Sequence, residues 1–132
     1  MQKESSEYNE LVLDHYRNPR NFGKLVRPTH TASELNPLCG DEITVYLEVR
    51  GNKIENLKYE ARGCALSIAA ASVLAERMEN GEWRIGEVRK IGKSDIEEWL
   101  GVKVGKAREG CVTLAVNTIK KVLSFPHPPS RV

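Results

Sequence analysis

The sequence has no uninterrupted apolar stretch of the ~20 residues a helix needs to cross a bilayer. Its first residues, Met1 to Glu7, are polar and lack the apolar centre of a secretory leader. Both absences point to a cytoplasmic protein with no membrane role, where thiols stay reduced. Cysteine is scarce. The chain holds three, an odd number that leaves no closed disulfide framework, and none forms a Cys-x-x-Cys pair. Charge imbalance is also missing: 20 Lys and Arg against 18 Asp and Glu give a net charge of +2. Basic residues are spread along the chain among glutamates, without the concentrated footprint that nucleic acid demands. No Ser/His/Asp set, phosphate loop or dinucleotide fingerprint occurs, which argues against a conventional hydrolytic or redox enzyme. With no repeat and no low-complexity linker, residues 1–132 read as a single domain, with 1–6 and 125–132 as flexible tails.

What is present is an ordinary globular composition, 40% hydrophobic and 29% charged, in a length suited to one core. Tyr8, Leu11, Val12 and His15 or Tyr16 recur at helical spacing behind a Ser5 or Ser6 cap, and Asn18-Pro19 stops the helix. The segment from Asn21 to Leu38 reads as extended or loop chain, broken by Gly23, Pro28 and Pro37. Ile43, Val45, Leu47 and Val49 then alternate with polar residues, the mark of a half-buried strand. Gly51-Asn52 supplies a turn, and Ile54, Leu57, Tyr59 and Ala61 fit a returning strand with a bulge. Cys64 to Met78 is small and apolar on almost every side, which predicts a buried helix with Gly81 as a left-handed cap. A short helix follows Ser94, with Glu97 completing a capping box, and a last helix covers about Cys111 to Leu123 before the proline-rich tail. The fold class is α+β: a small antiparallel sheet of about three strands with helices packed on one face.

Each cysteine stands at a break in this pattern and beside a glycine. Cys39 lies in a turn before the first strong strand, Cys64 opens the buried helix, and Cys111 opens the last helix. Thiols at helix N-termini face unpaired N–H groups, which favours the thiolate that binds soft metals and attacks sulfur. Gly40, Gly63 and Gly110 would let the backbone turn sharply or let a bulky ligand come close. Asp41 could add a carboxylate, completing a tetrahedral set for zinc or for one edge of a cluster. Any one of these cysteines taken alone is more often a buried small hydrophobe, and Asp41 alone a turn residue. The shared context of all three tips the balance. The histidines sit outside these positions: His15 packs along the first helix, His30 in a loop, His127 in the tail.

At these residues the sequence resembles the U-type iron–sulfur scaffold proteins: IscU, SufU and the N-terminal domain of NifU. Leu13-Asp14-His15-Tyr16-Arg17-Asn18-Pro19-Arg20-Asn21-Phe22-Gly23 is similar to the family's first helix and its exit. Asn36-Pro37-Leu38-Cys39-Gly40-Asp41, Gly63-Cys64-Ala65-Leu66-Ser67 and Gly110-Cys111-Val112-Thr113-Leu114 resemble its three ligand motifs, in order. The likeness runs from about residue 8 to 124 and is weakest between Gly81 and Val104. It implies that Cys39, Cys64 and Cys111 hold a [2Fe–2S] cluster or a zinc ion, with Asp41 close by. It implies a cysteine desulfurase that delivers sulfur, with Cys111 as acceptor, and apo iron–sulfur proteins that receive the cluster. A homodimer or trimer fits such a scaffold equally well.

The departures are informative. IscU members carry a histidine before the third cysteine and a Leu-Pro-Pro-Val-Lys chaperone motif; here the first position is Gly110 and the second motif is missing. Arg108, three residues before Cys111, matches the SufU branch, whose members hold zinc and accept persulfide sulfur. If it has a site role, it steers persulfide at Cys111 or pairs with Asp41; the plainer reading is a surface charge. The Cys64–Cys111 segment, however, is shorter than in SufU and closer to IscU. Three functions follow in order: a [2Fe–2S] scaffold using iron, a zinc-dependent sulfurtransferase, and a zinc-stapled binding module. The last is weakest, because structural zinc sites use closely spaced ligand pairs.

Overall fold

The computed structural model describes residues 9–124. The expected Ser5 or Ser6 cap, Tyr8, His127 and both expected tails lie outside the described residues. The element order is α1 (Glu10–Arg17), β1 (His30–Asn36), β2 (Asp41–Arg50), β3 (Lys53–Arg62), α2 (Ala65–Asn80), the single turn α3 (Ile85–Val88), α4 (Lys93–Leu100) and α5 (Glu109–Ser124). A short 3-10 turn, Lys106–Arg108, leads into α5.

The three strands form one antiparallel sheet in the order β1-β2-β3. Alternation in β2 buries Ile43, Val45, Leu47 and Val49 and leaves Thr44, Tyr46 and Glu48 on the other face. Ile43 pairs with Ala61, Val45 with Tyr59 and Leu47 with Leu57, so both strands of the hairpin present apolar side chains to the same side. The expected bulge is there, a register shift between Glu48 and Val49. Helices α2 and α5 lie across that buried face and against each other. Small residues on α2 (Ala69, Ala70, Ala71 and Ala75, each nearly inaccessible) let its neighbours approach closely. The buried apolar residues form one continuous cluster.

Four local expectations need correction. The segment before Cys39 contains a strand, β1, and His30 is its first, buried residue rather than a loop residue. Its sequence, His30 to Asn36, is too polar for the alternation to show, because only one face meets α5. The α1 cap is Asn9, whose Oδ1 accepts the Val12 N–H at 2.8 Å. Gly81 ends α2 in an extended conformation, not a left-handed one. Helix α4 starts earlier than Ser94: Gly92 is the cap, and its N–H donates to Asp95 Oδ2. Asp95 therefore does the work expected of Glu97, whose carboxylate instead accepts the Val104 N–H at 2.8 Å.

The exit of α1 explains the Leu13 to Gly23 motif as a staple. His15 is buried on α2, its Nδ1 2.7 Å from Ser72 Oγ, and Ser72 Oγ also accepts the Arg20 N–H. Arg20 bridges Asp14 at 2.8 Å and Glu76 at 3.4 Å. Asn21, at φ 59, donates its amide to Leu57 O, and the Gly23 N–H donates to Tyr59 O. Phe22 meets Tyr59 edge to face at 5.4 Å. The motif thus ties α1 to α2 and covers part of the β3 edge.

Burial is the main force holding His15 below its ordinary pKa of 6.5; the Arg20 guanidinium adds to it, while Glu76 and Asp14 pull the other way. A histidine whose folded value lies below its unfolded one makes the unfolded chain bind more protons. Stability is therefore fully present above pH 6.5 and falls as pH drops through 6.5 toward the folded value. Denaturant titrations between pH 8 and pH 5 should show this loss, with a slope of at most about 1.4 kcal/mol per pH unit from one proton. His15→Gln should flatten that slope; an unchanged slope would place its origin elsewhere.

Candidate functional site

The site forms where the β1–β2 turn meets the N-terminal ends of α2 and α5. Asn36 pairs with Asp41 across the turn, and Gly40 takes a left-handed φ of 77° so that residues 37–40 can double back. This carries Cys39 to the surface, where it is exposed. Asp41 begins β2 in phase with Ile43, Val45 and Leu47, so its side chain points to the helix side and is 1% exposed.

Cys64 is the N-cap residue of α2, as expected. Its N–H donates to Asp41 Oδ1 at 2.9 Å, and its Sγ lies 3.8 Å from Asp41 Oδ2. Cys39 donates its thiol to Asp41 Oδ2 at 2.9 Å. Cys111 is the third residue of α5 rather than its opening residue, because the helix starts at Glu109. It is 3% exposed, and its Sγ stands 3.6 Å from Cys39 Sγ. The structure therefore brings all four expected ligands to one place. Ligand atoms of Cys39, Asp41 and Cys111 lie within 4.8 Å of one another, and Cys64 stands beside that trio. Arg108 reaches the same place, with Nη2 3.5 Å from Cys64 Sγ.

Electrostatics correct one expectation. Burial pushes the Cys111 thiol well above its ordinary value, with Asp41 and Cys39 adding to the shift and a hydrogen bond from Arg108 opposing it. Position near a helix N-terminus does not outweigh desolvation here. For Asp41, burial alone would raise the carboxyl pKa. The bond from the Cys39 thiol, the Cys64 N–H and the other two thiols together outweigh it and hold the group below its ordinary value. Asp41 is thus a buried carboxylate kept charged by the N–H and thiol donors around it. A soft cation binding these sulfurs as thiolates would release their protons, so binding strengthens as pH rises.

Two of the three glycines, Gly63 and Gly110, make room for the protein's own side chains. A Cβ on Gly63 would stand 2.2 Å from Asp41 Oδ1, and its φ of 153° is one that side-chain residues avoid. Glycine there lets the Asp41 carboxylate tuck under the start of α2. A Cβ on Gly110 would stand 2.7 Å from Asn36 Nδ2. Asn36 is the residue that sequence reasoning passed over, although an Asn-Pro pair is itself a turn signal. Neither His15 nor His30 belongs to this cluster, as expected from their places outside the ligand motifs.

Comparison with known proteins shows the family of the chain. The profile of the NifU-like N terminal domain family matches residues 7–127. The iron–sulfur cluster assembly scaffold protein IscU 1 of Archaeoglobus fulgidus is 36% identical over 116 residues, covering 88% of this chain and 74% of that protein. The IscU scaffold of Aquifex aeolicus is 39% identical over 117 residues, covering 87% and 73%. The zinc-dependent sulfurtransferase SufU of Bacillus subtilis is 32% identical over 129 residues, covering 86% and 87%. In three dimensions, the N-terminal part of a NifU-like protein from Brucella abortus superposes with a TM-score of 0.76 at 24% identity, covering 89% of this chain and 92% of that one. That superposition shares the fold, and the sequence relatives set the lineage. The chain belongs to the U-type scaffold family whose shared unit is the NifU-like N-terminal domain.

Proposed function

We propose that this chain is a scaffold on which a [2Fe–2S] cluster is assembled from iron and desulfurase-derived sulfur and then passed to apo iron–sulfur proteins. The observation that carries the reading is the convergence of three thiols and a buried carboxylate, drawn from three distant segments, at one rim of the fold. Thiolates suit iron and sulfide, and the harder carboxylate suits a cargo that must leave. Cys39, Cys64, Cys111 and Asp41 would hold the cluster. None of the helices among the described residues is long and apolar enough to cross a membrane, in keeping with partners met in solution. A cysteine desulfurase and apo acceptors are the partners this reading requires. Leu38, 91% exposed beside Cys39, offers an apolar contact for one of them.

A second reading, a zinc-dependent relay of persulfide sulfur, is favoured by Arg108, whose guanidinium stands against Cys64 Sγ and hydrogen-bonds Cys111. A fixed cation there would steady a persulfide anion. In either reading the buried Cys111 needs a route for its sulfur, and Cys39 supplies one. The Cys39 thiolate attacks the terminal sulfur of the desulfurase persulfide and expels the desulfurase thiolate. The Cys111 thiol, its Sγ 3.6 Å from Cys39 Sγ, then takes that terminal sulfur as its proton passes to the Cys39 thiolate it expels. Electrons balance without an added reductant.

Anaerobic reconstitution with iron, cysteine and a cysteine desulfurase is the decisive experiment. The scaffold reading expects visible charge-transfer bands with iron and sulfide in equal amounts, lost in Cys39→Ala, Cys64→Ala and Cys111→Ala. Tightly held zinc, no bands and persulfide on the protein would establish the relay instead. Mass-spectrometric mapping of persulfide should find Cys111 labelled in the unaltered chain and much less so in Cys39→Ala; full labelling of Cys111 in that variant would remove Cys39 from the route. Asp41→Ala should slow cluster release to an acceptor by about tenfold, followed by the decay of the bands; faster release would refute the carboxylate's role in letting the cluster go.

A further inference from the structure

The three glycines beside the cysteines face different surroundings. Around Gly40 there is open space, at Gly63 the Asp41 carboxylate, and at Gly110 the Asn36 amide. Gly110 is the second residue of α5 and does not take a positive φ. Its backbone therefore asks for no glycine, and alanine would ordinarily be the better helix former. What an added side chain would press on is Asn36: its Cβ would meet Nδ2 at 2.7 Å and Cγ at 3.4 Å, so the Asn36 amide would have to shift.

Asn36 is also the anchor of the turn that carries Cys39. Its Oδ1 accepts the Leu38 N–H at 3.2 Å, and its carbonyl accepts the Gly40 N–H at 2.7 Å and the Cys39 N–H at 3.3 Å. One end of this residue holds the Cys39 turn, and the other rests on the residue before Cys111. We propose that Asn36 is a positioning residue that sets the spacing of Cys39 and Cys111, with the bare Cα of Gly110 as its seat, so that positions 36 and 110 work as a matched pair. The proposal rests on the reading that these thiols act together on sulfur or metal. Neither position supplies a ligand atom.

The test is a double-mutant cycle of Gly110→Ala, Asn36→Ser and both together. Serine keeps an oxygen able to accept the Leu38 N–H while vacating the space above residue 110. The first readout needs no metal. In a Cys64→Ser background, diamide closes the Cys39–Cys111 disulfide, taking the two thiol protons and two electrons. Gly110→Ala should slow closure about tenfold, because a small misplacement of reacting atoms is costly. Adding Asn36→Ser should restore most of the rate, although Asn36→Ser alone slows it. The second readout is titration of the Cys64-intact chain with Co2+, following thiolate-to-cobalt bands; Gly110→Ala should weaken binding about tenfold, with the same rescue. Closure and Co2+ binding like the unaltered chain in Gly110→Ala would overturn the proposal, and so would a double variant showing the combined losses of the two singles. If Gly110→Ala does not fold, the double variant decides: folded with fast closure supports the pair, folded with slow closure overturns it. A chain that takes up no Co2+ yet shows the cycle in disulfide closure would fail the metal reading and keep this one.

Discussion

A carboxylate removed from water must be surrounded by donors, and Asp41 meets that demand with groups from the β1–β2 turn and the start of α2. Cys39 and the Cys64 N–H donate to its two oxygens, and Cys64 Sγ stands close by. The Asp41 carboxylate is thus the hub that joins the β1–β2 turn to the start of α2. Gly63 exists in its conformation for the sake of this contact, since any side chain there would occupy the carboxylate's place. The same hub holds the turn and the start of α2 together, and a metal ion binding here would displace thiol protons.

The supporting structure is arranged to leave this corner rigid on one side and open on the other. Helices α2 and α5 bring Cys64 and Cys111 in on elements locked into the core, with Ala69, Ala70 and Val112 almost wholly buried behind them. The Leu13 to Gly23 motif, though remote from the thiols, fixes α1 and the β3 edge to α2 through His15, Ser72 and Arg20. Cys39, by contrast, rides on a solvent-facing turn. Reactive and exchangeable groups belong on such loops, with the scaffold supplying the fixed reference.

Much of this was legible in the sequence, and what was not had physical reasons. The hairpin of β2 and β3 announced itself because one of its faces is apolar at every second residue. β1 stayed hidden because its inward residues, His30, Ala32, Glu34 and Asn36, are small or polar. The caps at Gly92 and Asn9 escaped because several polar residues near each start could have served, and only packing chooses among them. The cysteines were found through their shared context, but their distance of 3.6 Å and the burial of Cys111 depend on how α5 lies against the β1 end of the sheet. That arrangement also hides Asn36, whose partner is 74 positions away at Gly110.

The phase of β2 has a consequence for how such a site can change over time. Asp41 faces the site only because it shares the pleat of Ile43, Val45, Leu47 and Val49, all on the helix side. Parity, rather than identity alone, places the carboxylate. An insertion or deletion of a single residue between Asp41 and Ile43 would turn it to the opposite face, whereas a change of two would keep its side but move it along the strand. The core's own alternation thus acts as a counting rule for the ligand set, and sequence drift in this stretch is confined to replacement rather than length.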